Sequence, residues 1–174
     1  MVTSAEIVDT AIKIGLGALI SGTAAFLIAR LNHAKEIEKA RTNRRRELLE
    51  EIAEKVEKFN SATIRYWAIL RERVEYEEQH APLPPLREEE WKAADETLNN
   101  SFEEITNAES KLLLLGEEQS QALLREYIQD VSDFSTKSFP ARSVTLSEVG
   151  EFKTGFLRAR KEFFATLSVI YKRT

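Results

Sequence analysis

Cysteine is absent from this 174-residue chain, which excludes disulfides, thiolate metal sites and a cysteine nucleophile. Histidine is scarce: with only His33 and His80, no Ser-His-Asp set can be assembled with conviction. The six glycines and four prolines form no glycine-rich phosphate loop, and strand-like alternation of β-branched residues is nowhere sustained. Uncharged runs are short, with one exception near the N-terminus.

What remains is helical periodicity. Leu49, Ile52, Val56, Phe59, Thr63, Tyr66 and Leu70 recur at spacings of three and four, the stripe of an amphipathic helix. "APLPP" at 81–85 ends it, because proline cannot donate to the helical ladder. A second helix is expected from about Arg87, with Trp91, Leu98, Phe102, Ile105, Leu112 and Leu115 as its stripe and Gly116 as its stop. A third carries Leu123, Leu124, Tyr127, Ile128, Val131 and Phe134 before Pro140. The fourth opens at "TLSE", where Thr145 and Glu148 have capping-box spacing, and continues through Val149, Phe152, Phe156, Leu157, Phe163, Phe164, Leu167 and Ile170. Short connections favour antiparallel neighbours, so the expected fold is all-α, an antiparallel four-helix bundle.

The exception is "KIGLGALISGTAAFLIAR", residues 13–30, with sixteen uncharged residues between Lys13 and Arg30. A signal peptide carries its positive charge ahead of the apolar region, and here the charge follows it. The run rises ~24 Å as a helix against a hydrocarbon core of ~30 Å. Lys13 and Arg30 can snorkel from its ends, and Ala11 and Ile12 lengthen the apolar surface. Seven basic residues (Arg30, Lys35, Lys39, Arg41, Arg44, Arg45, Arg46) follow within seventeen positions, against Lys13 alone before. The positive-inside rule then places the N-terminus outside and the remainder in the cytoplasm.

Charge is unevenly distributed. Residues 1–29, 30–73, 74–151 and 152–174 carry −1, +4, −12 and +5. The basic stretch at 30–46 suits anionic cytoplasmic lipid, and without interleaved aromatics it gives no strong nucleic-acid signal. Gly17, Ser21, Ala25 and Ala29 recur every four residues, and Ala18 with Gly22 adds a parallel small pair. Such small faces let helices in lipid pack closely, so homo-oligomerisation through the span is expected.

Catalytic candidates are few. Glu77 and His80 have the Glu-x-x-His spacing of di-iron bundles, but no second such pair exists, so no metal or cofactor is expected. In "RVEYEEQH", Arg73 and His80 have a spacing that resembles the Arg-x(4–6)-His element of HEPN ribonucleases, helical proteins that act as dimers. The resemblance covers eight residues, and Val74 stands where the family has a polar residue after the arginine. It implies that Arg73 would hold phosphate and His80 transfer protons.

The sequence-based architecture is a short external N-terminus with a single transmembrane helix (1–30), a basic helical stalk (31–47) and a cytoplasmic bundle (48–174). The function expected of it is non-enzymatic: an inner-membrane protein of a bacterial-type cell whose bundle oligomerises or senses a protein partner. In its sharpest form it is a membrane-permeabilising, pore-forming effector of the kind used in anti-phage defence, an idea resting on architecture alone. The alternatives are a membrane-anchored helical scaffold or adaptor and a HEPN-like ribonuclease.

Overall fold

The computed structural model describes residues 4–138 and 144–173, with side chains from position 21 onward apart from position 24. Four α-helices follow in order: α1 (Ser4–Glu78), α2 (Pro85–Leu114), α3 (Glu118–Lys137) and α4 (Leu146–Arg173). No strand occurs among the described residues. The chain divides into two compact units, Met1–Arg44 and Arg45–Thr174. Arg45, read from sequence as stalk, is therefore a residue of the bundle unit.

In the second unit most of the expected stripe residues form the core, although Leu157 of the α4 stripe is exposed and Phe102, Leu115, Leu123, Ile128, Phe134, Phe152 and Phe164 are half-buried. Leu49, Ile52, Val56, Phe59, Tyr66 and Leu70 of α1 are buried, as are Trp91, Leu98, Ile105 and Leu112 of α2. Leu124, Tyr127 and Val131 of α3 meet Val149, Phe156, Phe163, Leu167 and Ile170 of α4 in the same cluster. Phe59 stands edge-on to Phe102 (5.3 Å between centroids) and to Tyr127 (5.8 Å), and so joins three helices.

Cross-helix partners give the directions. Pairing of Glu51 with Lys111 and Tyr66 with Trp91 sets α1 antiparallel to α2. Glu50 with Tyr171, Glu57 with Arg160, and Trp67 with the Val149 carbonyl do the same for α1 and α4. Asn60 and Tyr66 meet Tyr127 and Ser135, so α1 and α3 run parallel. This is the up-down-up-down bundle expected from sequence.

Three helix ends have a local chemical cause. Gly116 sits at φ 73°, with Glu117 N–H donating to the Leu112 carbonyl and Gly116 N–H to that of Leu113, the two bonds of a Schellman motif. At α4 the expected capping box forms: Thr145 N–H donates to Glu148 Oε2 at 2.8 Å, and Glu148 N–H donates to Thr145 Oγ1 at 3.3 Å. The Lys137 ammonium, 2.5 Å away, and the Thr145 donors hold the Glu148 carboxyl down at about 2. Pro85 begins α2, where a missing N–H costs nothing.

One polar pair is buried inside the bundle. The Tyr127 hydroxyl donates to Asn60 Oδ1, while Asn60 Nδ2 donates to Glu57 Oε1 at 3.1 Å. Burial drives the Tyr127 hydroxyl well above the ordinary tyrosine range, and that of Tyr66, which donates to the Ser135 carbonyl, to about 12. Both phenols are held neutral, as donors.

The transmembrane part of the sequence-based architecture has no counterpart among the described residues, where no helix is long and apolar enough to cross a membrane. Half of the stretch between Lys13 and Arg30, including Gly17 and Ala18, lies outside the residues whose side chains are described.

Candidate functional site

Arg73 and His80, the nuclease-like pair, each have partners of their own. Arg73 is a strut between α1 and α2: its Nη1 donates to Glu88 Oε2 at 3.4 Å, its Nε lies 3.6 Å from Glu77, and its guanidinium covers the Trp91 ring at 5.3 Å. At 3.6 Å the Glu77 contact is an ion pair and too long for a hydrogen bond, so Nε is left buried without an acceptor.

His80 lies in the turn that follows α1. It ends α1 at φ 54°, with its N–H donating to the Glu77 carbonyl at 3.1 Å and Ala81 N–H to that of Tyr76 at 2.9 Å. This is again a Schellman motif, with histidine where glycine is usual. His80 is exposed and lines an open groove of about 800 Å³ with Glu77, Glu78, Val144 and Thr145, which Arg73 does not reach. Among the described residues no hydrogen bond joins the two side chains, and no cluster able to hold a metal ion is found.

A left-handed conformation costs a non-glycine residue ~1–2 kcal/mol. Replacing His80 with glycine is therefore expected to raise stability by about 0.5–1 kcal/mol, after the entropy that glycine adds to the unfolded chain is set against it. The midpoint of urea denaturation checks this. A lowered midpoint would mean that the imidazole supports the fold in a way the turn does not explain.

The basic segment is mostly open. Arg30, Lys35, Lys39, Arg41, Arg44 and Arg46 are exposed, whereas Arg45 donates to the Leu115 carbonyl at 3.2 Å and pairs with Glu117. Six of the seven cations expected to face lipid are thus exposed at the surface, and the seventh ties α1 to the α2–α3 turn.

On the small face, Ser21, Gly22, Ala25 and Ala29 are exposed, and a Cβ on Gly22 would meet nothing within 4 Å. Phe26, Leu27 and Ile28 are 66%, 56% and 58% exposed, and Leu31 is 61%. Three successive helical residues are 100° apart, so the apolar surface here is bare on every side.

Sequence reasoning passed over two features. Leu113 and Leu114 are exposed, in a run of four leucines that no single helix face can bury together. Between α3 and α4, two open grooves of about 300 and 440 Å³ share Tyr127, Asp130 and Gly155, beside stacked Phe134 and Phe152. Only the leucine run could have been noticed without coordinates.

No family model matches the chain, and no curated protein or solved structure is measurably similar to it. The resemblance around Arg73 and His80 accordingly gains nothing from a wider match.

Proposed function

We propose that the protein is a membrane-anchored, non-enzymatic oligomer: the segment between Lys13 and Arg30 spans the cell membrane, copies associate along Gly17, Ser21, Ala25 and Ala29, and the bundle lies in the cytoplasm. In its most specific form the assembly permeabilises the membrane when the bundle receives its signal. The observation that carries this reading is the exposure of Phe26, Leu27 and Ile28 around the whole helix. Apolar area left in water costs ~25 cal/mol per Å², and lipid can cover all sides of a helix at once. The excess of cations after the segment supports the orientation.

The experiment compares two variants for oligomer size in detergent and for dye leakage from vesicles. Gly17→Leu with Ser21→Leu adds bulk where backbones should approach while preserving hydrophobicity for insertion. Oligomer size and leakage are expected to fall together. His80→Gly keeps the turn, removes the imidazole and should leave both unchanged. If His80→Gly abolished function while the double leucine variant retained it, the nuclease-like reading would replace this one.

A further inference from the structure

Between α3 and α4 the bundle surface carries a groove that its own core leaves open. The two stretches of it, about 300 and 440 Å³, join at Tyr127, Asp130 and Gly155. From Leu123 to Lys137 of α3 the groove extends ~21 Å, about four turns of helix. Its floor is small and aromatic. Gly155 interrupts α4 where almost any other residue is a better helix former, yet its φ is not positive and a Cβ there would meet nothing within 4 Å. Neither backbone conformation nor internal packing asks for glycine at 155, whereas a side chain arriving from outside gains depth there. Ala159 continues the small surface one turn on, and Phe134 and Phe152 lie stacked at 3.8 Å and half-buried.

The rims are acidic. Glu126, Asp130, Asp133, Glu148, Glu151 and Glu162 line the groove, against the cations Lys137 and Arg158, for a net charge of −4. Lys137 is matched by Glu148, and Asp133 and Glu151 accept from Gln129 and Ser147. Glu126, Asp130 and Glu162 are exposed, and among the described residues their side chains make no hydrogen bond or ion pair. Glu126, Asp130 and Asp133 also succeed one another at spacings of four and three on one face of α3, where like charges destabilise a helix. Incoming cations would relieve a repulsion that the chain itself leaves standing. An apolar floor several turns long between charged rims suits a helix laid into a groove, with the rims setting the sign of its charge. A second copy meeting groove to groove would set acids against acids, and nucleic acid and anionic lipid are repelled by the same rims.

We infer that the α3–α4 groove docks a cationic amphipathic helix of another protein, its apolar stripe over Gly155 and the Phe134–Phe152 pair and its lysines or arginines against Glu126, Asp130 and Glu162. The groove lies wholly within the second unit, so the inference stands or falls apart from the membrane reading.

The test uses the full chain, immobilised in a non-ionic detergent, and a synthetic leucine–lysine peptide about four turns long with its leucines on one stripe. Surface plasmon resonance, with the detergent-only surface subtracted, should show salt-sensitive binding of this peptide, and much weaker binding of a scrambled peptide of the same composition. Gly155→Leu fills the groove while improving helix propensity, so binding should be lost with the melting temperature kept or raised. Asp130→Asn with Glu162→Gln should weaken binding roughly ten-fold. Glu89→Gln with Glu96→Gln, the same charge change at exposed positions of α2, should leave it unaltered. No binding to the native chain overturns the inference, as do equal binding of the scrambled peptide, full affinity in Gly155→Leu, and equal losses in the two acid pairs. A peptide of residues 30–44, with five cations and two acids but only Leu31 and Ile37 as large apolar side chains, should bind more weakly. If it matched the designed peptide, a second copy would be the occupant and the assignment to another protein would be overturned.

Discussion

Replacing Phe59 with alanine is expected to destabilise the bundle by about 3–5 kcal/mol, enough to lower its melting temperature by roughly 10–20 °C. Phe59 is fully buried and touches Phe102 and Tyr127 edge-on, so its removal leaves a cavity facing α1, α2 and α3 at once. Native domains are stable by ~5–15 kcal/mol, and this single change takes a large part of that margin. Ile64, five residues later on the same helix, is 44% exposed. Its replacement by alanine should cost within about 0.5 kcal/mol. Thermal and urea denaturation of both variants check the contrast, and equal losses would mean that the four-helix core is wrongly drawn.

Placing arginine at both Gly22 and Ala25 should remove the protein from the membrane. These positions lie near the middle of the uncharged run, where each arginine opposes insertion by ~2.5–3.5 kcal/mol, so the pair opposes it by roughly 5 kcal/mol or more. Both are exposed residues of the first unit. The bundle's own melting transition should therefore be preserved while membrane recovery is lost. Retention of the double variant in membranes would show that another part of the chain holds it there.

The helices and their stops were legible because they depend on local chemistry. The stripe from Leu49 to Leu70, the left-handed Gly116 and the Thr145–Glu148 box all follow from spacings of three to five residues. Features that need tertiary contact were not. Arg73 appears in sequence as a possible phosphate ligand, and only the approach of Glu88 and Trp91 from α2 shows it to be a strut. The spacing of His80 from Arg73 invites a catalytic reading, and the left-handed φ that makes His80 the helix stop leaves no signal in that spacing. Arg45 belonged by composition to the basic stretch, and the α2–α3 turn draws it into the bundle. The bond between Asn60 and Tyr127 spans 67 positions and leaves no local trace. For the small face the sequence supplies a periodicity and the described part of it an open surface.

Carbonate extraction of membranes from cells producing the native chain tests the central claim most directly, because it strips peripheral proteins and leaves inserted helices in place. The account predicts that the native chain stays in the membrane pellet and is released only by detergent, while the variant with arginine at positions 22 and 25 appears in the supernatant. Recovery of the native chain in the supernatant, without detergent, would contradict the membrane anchor and with it the proposed function.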